Sequence, residues 1–372
     1  MQAFVFTDKR LERYAGQFVW LQVDIENSKN AEFLAKYPIP AIPTLMVIDP
    51  KKESVALRYM SGATVQQMEK LLADGRRAVN PEPASSADGL LVAADKYAAA
   101  GLSGEAIKSY EQALAKAPKN WGRFGRAAES YITALSMHDD NDRCTTFAVN
   151  TYPRLRGTAS GANVAATGLH CAAEILSKDA IDTLEKATRE SMSDPKIPLS
   201  GDDRSGMFEA LISARQALKD EAGQRKVTEE WSAFLDAEAA KAKTPEERSV
   251  YDSHRLGAYL ELGTPEKAVP MLEQSEKDFP NDYNAPSRLA AAYKALKKYD
   301  EALAASDRAL AHVYGPRKIN VLRNRADIYL AKGDKENARK TLQEAIDYAN
   351  ALPKGQRSEG SIASLKKKLG AI

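Results

Sequence analysis

The two cysteines are the residues of this sequence whose chemistry is easiest to define. Cys144 and Cys171 are the only cysteines among 372 residues, and they are 27 positions apart. A redox-active dithiol needs both thiols in one short loop, so this spacing excludes catalysis by the pair. Both positions fall in successive helical segments, and at about 1.5 Å of rise per residue they can meet across an antiparallel helix pair. A structural disulfide is therefore possible, and two buried free thiols are the alternative.

Other residue types that carry chemistry form no recognisable site. The four histidines, His138, His170, His254 and His312, are scattered and include no pair at i and i+4. The acidic run at 139–142 lacks the glycine and the closing glutamate of a calcium loop. Phosphate-binding loops, nucleophile elbows and zinc motifs are also absent from the sequence. We therefore predict no metal, no cofactor and, for the sequence as given, no enzymatic activity.

Composition excludes two classes of partner. Lysine and arginine number 53 against 51 aspartate and glutamate, a formal net charge of +2. A nucleic-acid-binding protein would show a basic excess, so we expect no nucleic-acid partner. No run approaches the roughly 18 apolar residues of a membrane span, so we expect no membrane insertion. With 44% hydrophobic residues, the chain can bury a substantial core.

The first part of the chain has the pattern of a small α/β unit. Residues 18–25 are mostly apolar and rich in β-branched and aromatic side chains, which predicts a buried strand. Helical spacing follows at 31–37, and further strands are predicted at 45–48 and 54–60. An amphipathic helix is predicted at 65–73. The expected order is β-α-β-β-α.

This order resembles the second half of a thioredoxin domain. The residues that carry the resemblance are Val23-Asp24, Leu34-Ala35-Lys36-Tyr37, Ile42-Pro43-Thr44 and Gly62. In that family the proline before the strand is cis and lies against the redox cysteines, so the resemblance implies this role for Pro43. It also implies that residues 3–14 are the helix that normally follows the Cys-x-x-Cys pair. Residues 1–79 would then be a partial thioredoxin-like domain without its dithiol.

Two interpretations of this partial domain remain open. In one, the true start lies upstream, and the protein carries the missing half and a leader that directs it to the periplasm or outside the cell. In the other, the domain is degenerate and packs on its neighbour, which would cover the edges of a half-sheet. Met1 as given is not followed by a secretory leader, which predicts a cytoplasmic protein.

Helical periodicity begins after a Pro/Ser-rich linker at 80–88 and continues to the C-terminus. Small and aromatic residues recur there in a fixed order, beginning with Leu90, Ala93, Ala94, Tyr97, Gly101, Ala106, Tyr110, Ala113 and Pro118. Tyr259 and Tyr293 repeat this phase about 34 residues apart. The next equivalent, Tyr329, comes slightly later because the connection near Tyr314-Gly315-Pro316 is longer.

This pattern resembles the tetratricopeptide repeat. It is clear at 87–120, 249–282, 283–316 and 319–352, and residues 121–248 are expected to form divergent helical hairpins. The segment 361–369 has the amphipathic pattern of a capping helix. The predicted fold is mainly α, a superhelical solenoid over 89–372 preceded by the truncated thioredoxin-like unit.

The resemblance implies a function in protein binding. First helices of stacked repeats line a concave groove that takes peptide or protein segments. The polar residues expected to face this groove or its rim are Asn284, Arg288, Lys294, Asn320, Arg323 and Asp327. We therefore predict an interaction scaffold with a protein or peptide partner. The alternative is a thiol–disulfide oxidoreductase or redox-linked chaperone whose dithiol lies upstream of Met1.

Overall fold

The computed structural model describes residues 4–39, 41–79 and 83–372. The protein is mainly helical, with a two-stranded sheet near the N-terminus, and it forms the predicted tetratricopeptide-like solenoid. The described residues fall into two compact units. The first contains the residues up to Phe18 together with Ile39–Thr228, and the second contains Val19–Pro38 together with Glu229–Ile372.

The compact units divide the chain at other places than the predicted boundaries at 79 and 89. The first unit contains both the sheet and the first repeat helices, because the second strand packs directly on the first of these helices. Residues 80–82 of the predicted linker lie outside the described residues. The first repeat helix begins at Ala87, where Ser86 accepts a hydrogen bond from the Gly89 amide at 3.0 Å.

The N-terminal elements include most of those that the sequence predicts. They are a 3-10 helix at Lys9–Tyr14, a second one at Ser28–Asn30, helix α1 (Ala31–Lys36), strands β1 (Leu45–Asp49) and β2 (Ser54–Tyr59), and helix α2 (Val65–Ala78). The strands are antiparallel, with Leu45 opposite Tyr59 and Asp49 opposite Ser54. The predicted strands at 45–48 and 54–60 and the helices at 31–37 and 65–73 are therefore confirmed.

The prediction of a strand at 18–25 is wrong. No strand is assigned there, and Val19 and Leu21 are 87% and 75% exposed. The apolar run has the composition of a strand but finds no partner strand, and its continuation packs in the second unit instead. The helix implied at 3–14 is also shorter than expected, since only Lys9–Tyr14 is helical; residue 3 lies outside the described residues.

Strand β2 is buried along most of its length. Every residue from Val55 to Tyr59 is buried, because α2 packs against the strand and so does the first repeat helix. Arg58 is included in this run, and its guanidinium donates to the carbonyl oxygen of Ala98 at the end of that helix. The α/β elements are thus attached to the repeats through β2.

Antiparallel hairpins make up the rest of the first unit. Its helices are α3 (Ala87–Ala99), α4 (Ser103–Ala115), α5 (Phe124–Met137), α6 (Asn141–Leu155), α7 (Ala159–Glu174), α8 (Lys178–Ser193) and α9 (Gly201–Ala217). Helix α10 (Glu221–Lys241) begins in the first unit and ends in the second. The divergent stretch at 121–248 therefore contains helical hairpins, as predicted.

The second unit contains the repeats with the clearest sequence pattern. Its helices are α11 (Pro245–Ser249), α12 (Asp252–Glu261), α13 (Ala268–Asp278), α14 (Asn284–Ala295), α15 (Tyr299–His312), α16 (Arg317–Lys332), α17 (Lys335–Ala351) and α18 (Glu359–Gly370), with a 3-10 turn at Pro265–Lys267. Helix α18 buries Ile362 and Leu365 against α16 and α17, which makes it the expected cap.

Alanine and leucine alternate at the helix contacts of the second unit. Ala268 and Leu272 of α13 have no exposed surface, and neither do Leu289 of α14 and Ala302 of α15. Tyr259 fills the space beside them and is 2% exposed. In the next repeat, Tyr293 is only partly buried, because its hydroxyl reaches out to Glu273 at 3.0 Å.

Within the parts of the chain that the structure describes, no helix has both the length and the apolar character needed to cross a bilayer.

The neighbouring residues Tyr259 and Leu260 test the phase of the repeats. Tyr259 is 2% exposed and Leu260 is 38% exposed, so they lie on different faces of α12. We expect Tyr259→Ala to lower the free energy of unfolding by about 3 kcal/mol, as for other large-to-small core changes. Leu260→Ala should lower it by less than about 1 kcal/mol. Urea unfolding followed by circular dichroism measures both, and equal losses would contradict the assigned phase.

Candidate functional site

The two cysteines lie on adjacent helices, as expected. Cys144 is in α6 and Cys171 in α7, both without exposed surface. Their Cα atoms are 6.1 Å apart, within the range for a disulfide, and the structure joins the sulfurs. The sequence contains no further cysteine, so the redox alternative depends on residues upstream of Met1 and stays a prediction.

Pro43 immediately precedes the sheet. The Ile42–Pro43 peptide bond is cis, the conformation that the resemblance implies, and Thr44 follows with its hydroxyl donating to the Ala41 carbonyl at 2.6 Å. The thioredoxin-like origin of residues 1–79 stays a prediction.

The six predicted groove residues lie on two first helices of the second unit. Asn284, Arg288 and Lys294 are on α14, whereas Asn320, Arg323 and Asp327 are on α16. Some of them have partners within the unit. The Asn284 amide donates to Asp282 at 2.7 Å, and Asp327 accepts from Lys368 of the cap helix. Arg323 is exposed, and Lys294 and Asn320 are partly exposed.

Arg288 differs from the other groove residues in its surroundings. Burial lowers the pKa of its guanidinium, although the nearby carboxylates of Asp252 and Asp282 oppose this shift. Asp252 is 1% exposed, and burial raises the pKa of its carboxyl group in spite of Arg288. Arg288 therefore interacts with charges inside the unit, and its place in the groove stays a prediction.

A segment of the same chain packs beside this end of the repeats. The Tyr283 hydroxyl donates to both carboxylate oxygens of Glu26, at 3.0 and 3.1 Å. Arg317 Nε donates to the same carboxylate at 3.1 Å, and the Tyr314 hydroxyl donates to Asp24 at 2.6 Å. The segment Asp24-Ile25-Glu26, here called the acidic segment, thus meets donors from two inter-repeat connections.

A backbone contact adds to these side-chain contacts. Gln356, in the connection between α17 and α18, donates from Nε2 to the Ile25 carbonyl oxygen at 2.9 Å. We call the four residues Tyr283, Tyr314, Arg317 and Gln356 the receiving surface. All four supply hydrogen-bond donors, so the surface is built to bind carboxylates and a main-chain carbonyl.

Two glycines allow the chain to lie this close to the repeats. A Cβ at Gly315 would be 2.0 Å from the Glu26 carbonyl oxygen, and one at Gly355 would be 2.2 Å from the Ala31 carbonyl oxygen. Any larger residue would therefore push the segment away. Gly315 lies in the longer connection between the repeats at Tyr259–Tyr293 and at Tyr329. This longer connection was the sequence feature that marked the contact with the segment.

The carboxylate of Glu26 is partly removed from water. Burial raises the pKa of its carboxyl group, and the hydrogen bond from Tyr283 and the charge of Arg317 oppose that shift. Burial and the neighbouring Glu26 raise the pKa of the Tyr283 hydroxyl, which keeps it protonated and able to donate. Sequence reasoning missed the receiving surface because its members are far from the acidic segment along the chain.

The first unit contains a separate polar cleft of about 370 Å³, bounded by α2, the α4–α5 connection, the start of α5 and the α6–α7 connection. Its walls include the aromatic side chains of Trp121 and Phe124 and the exposed cations Lys70, Lys119 and Arg154. The Arg154 guanidinium lies 3.5 Å from the centre of the Phe124 ring.

Ion pairs between α2, α3 and α5 form one wall of the polar cleft. Arg123 Nε is 2.7 Å from Asp74 Oδ1, and Arg126 Nε is 3.2 Å from Asp74 Oδ2. Arg126 also reaches Asp95, which has no exposed surface, at 2.9 Å. Burial raises the pKa of the Asp95 carboxyl group, and Arg126 and Tyr110 oppose it. These contacts attach α2 to the repeat helices.

Glu129 is a second buried acidic group, at 2% exposure. Its carboxylate accepts from the Tyr59 hydroxyl of β2 and from Gln67 Nε2 of α2 at 2.8 Å. Gln67 also closes the first turn of α2, since its Oε1 accepts from the Thr64 amide at 2.9 Å. Burial raises the pKa of Glu129, against hydrogen bonds from Ser160 and Tyr59.

The polar contacts of the cleft fix the elements around it in place. Its buried carboxylates are engaged by arginine, tyrosine or glutamine. In the described ranges, no group of three or more His, Cys, Asp or Glu residues is placed to hold a metal ion.

Comparison with protein-family models identifies one stretch of the chain. Residues 283–351, which cover α14 to α17, match the family model described as tetratricopeptide repeat. A solved tetratricopeptide repeat protein from Parabacteroides merdae is similar at 12% sequence identity with a TM-score of 0.48, over 76% of this chain and 98% of that chain. No curated protein matches the sequence. The match at 283–351 identifies tetratricopeptide repeats in the second unit, a repeat type that generally binds proteins or peptides.

The cysteine pair gives a prediction that does not depend on function. We expect protein purified without reductant to show no alkylation of Cys144 or Cys171 after denaturation, and labelling of both after reduction. Because the two residues are 27 positions apart, the closed loop should stabilise the fold by about 3–4 kcal/mol. A Cys144→Ala/Cys171→Ala variant should lose about this amount in urea unfolding. Two free thiols in unreduced native protein would show that the bond does not form.

Glu129 gives a prediction on pH dependence. Its pKa in the folded state is above the ordinary value of 4.5. As pH rises above 4.5, the unfolded state therefore releases this proton before the folded state does. The stability of the wild type should therefore fall relative to Glu129→Gln as pH increases from below 4.5 to neutral. Urea midpoints of both proteins across this range measure the effect. If the urea midpoints of the two proteins change with pH in the same way, ionisation of Glu129 does not destabilise the folded state and the prediction is wrong.

Proposed function

We propose that this protein is a non-enzymatic interaction scaffold whose C-terminal repeats bind polypeptide segments. The observation that carries the proposal is the acidic segment on the receiving surface. Tyr283 and Glu26 are 257 positions apart, so the repeats bind a stretch of chain that is not their neighbour in sequence. Side-chain donors that bind carboxylates and a main-chain carbonyl of one segment can bind those groups in another.

The predicted groove residues extend this binding surface along two helices. Asn284 follows Tyr283 directly, and Arg288 lies one turn further along α14. Arg317 begins α16, which carries Asn320 and Arg323. A bound segment that starts at the receiving surface can therefore continue along the first helices. We propose that Lys294 and Asp327 contribute at the far ends of these helices.

The proposal is tested by asking whether the repeats bind a segment supplied in trans. We define the released variant as the full chain with Asp24→Asn and Glu26→Gln, which weakens the contacts of the internal segment. The ligand is a fluorescent peptide with the sequence of residues 19–38. We expect saturable binding by the released variant with one peptide per chain, measured by fluorescence anisotropy.

The wild-type chain is the matched control, because its receiving surface is already occupied. The internal segment belongs to the same chain, so its binding is intramolecular and the wild type should bind the peptide at least about tenfold more weakly. Circular dichroism and urea midpoints establish that both chains are folded. Absence of saturable binding to a folded released variant would contradict the proposed function.

A further inference from the structure

We propose that the receiving surface selects partners by two acidic residues in alternate positions, Asp-x-Glu, and that the acidic segment occupies the place of such a partner. This inference rests on the proposed function and names the chemistry of the partner. The inference is supported by the geometry of the bound segment, by the type of its hydrogen-bond donors and by the exposure of the contact.

The bound segment presents its two carboxylates through a turn. Asp24 Oδ1 accepts from the Glu26 backbone amide at 2.9 Å, and the Asn30 side chain donates to the Asp24 carbonyl at 2.8 Å. An aspartate that bonds the amide two residues later forms an Asx turn, which fixes the direction of the residues it encloses. The second carboxylate oxygen of Asp24 and both oxygens of Glu26 are then free to meet Tyr314 and Tyr283.

Different donors bind the two carboxylates. Tyr314 contacts Asp24 alone, whereas Tyr283 and Arg317 both contact Glu26. The residue between them, Ile25, is contacted through its carbonyl oxygen by Gln356. The middle position is therefore bound through its main-chain carbonyl, and the two flanking positions are bound through their carboxylates. Loss of either acid leaves donors that are partly withdrawn from water without an acceptor.

Charge complementarity favours an anionic occupant. Arg317 supplies a positive charge, and its side chain remains 43% exposed while that of Glu26 is 16% exposed. The carboxylate thus enters the surface, and the arginine stays accessible at the rim. Glycine at 315 and at 355 keeps the surface open to a main chain that approaches closely.

The internal segment is held in a way that permits exchange. Tyr314 is 47% exposed, and the side chain of Arg317 in its ion pair with Glu26 is 43% exposed. Ion pairs in contact with solvent contribute little stability. Upstream, Val19 and Leu21 are 87% and 75% exposed. Helix α1 buries Ala31 and Leu34, so the apolar part of the segment lies on the other side of the acidic turn. An external Asp-x-Glu turn competes with the polar contacts of the acidic segment.

The test compares peptides that differ only in their acids, using the released variant as the receptor. The parent peptide has the sequence of residues 19–38. One derivative carries Asp24→Asn and Glu26→Gln, and a second exchanges Asp24 with Ile25, which keeps the charge but removes the alternate spacing. The matched control peptide carries Glu32→Gln, at an exposed acid of the same segment.

We expect the first two derivatives to bind at least about tenfold more weakly than the parent, and the control peptide to bind like the parent. On the receptor, Arg317→Gln and Tyr283→Phe should each weaken binding of the parent peptide. They should have little effect on the derivative that lacks both acids. Arg339→Gln, at an exposed arginine of α17, serves as the receptor control and should change nothing.

The outcomes separate this inference from the proposed function. If the parent and both derivatives bind with equal affinity, the repeats bind segments but do not read the acids, and the inference is wrong. If the spacing derivative binds like the parent, the surface responds to charge alone, which also overturns it. If no peptide binds, the proposed function itself fails. The Tyr283→Phe receptor removes one hydroxyl only, so its effect cannot be attributed to loss of the fold.

Discussion

The stacking of helices through small side chains is the constraint on which both units depend. Residues without any exposed surface occupy the helix contacts, and many of them are alanines: Ala94, Ala113, Ala128 and Ala148 in the first unit and Ala268, Ala302, Ala309 and Ala326 in the second. A methyl group lets two helices approach closely, and the apolar face that one hairpin leaves open is covered by the next. The connections between hairpins are positioned by this stacking. In the second unit, three of these connections bring Tyr283, Tyr314 and Gln356 to one surface.

In the first unit, polar contacts determine where the α/β elements sit on the repeats. A two-stranded sheet cannot bury both faces alone, and β2 is covered because α2 and α3 lie against it. Burying Glu129 and Asp95 is costly without partners, and each therefore has donors from a different element. The hydrogen bonds to these partners are directional. They therefore select one placement of α2 and β2 among the many that apolar packing alone would permit.

In the second unit, polar contacts also determine where a segment from the N-terminal part of the chain lies on the repeats. The acidic segment contributes carboxylates, and the receiving surface contributes only donors. Their contact joins residues that are between 257 and 331 positions apart in the chain. A repeat array that already binds a remote stretch through side-chain donors has the chemistry of a peptide-binding scaffold. This agrees with the tetratricopeptide match at 283–351.

The sequence determined the local elements, because helical periodicity and the recurrence of about 34 residues record which face of each segment is buried. It located α3, α4, α12 to α17, the cap α18 and the strands at 45–49 and 54–59. It could not show what covers each buried face, because periodicity carries no information on the partner. The run at 18–25 has strand composition but lacks a neighbouring strand, so it forms none. Glu129, with donors from β2 and α2, and Glu26, bound by Tyr283 and Arg317, acquire their roles only through contacts between distant residues. Only the tertiary structure could decide these contacts, because they depend on which elements the stacking of the hairpins brings together.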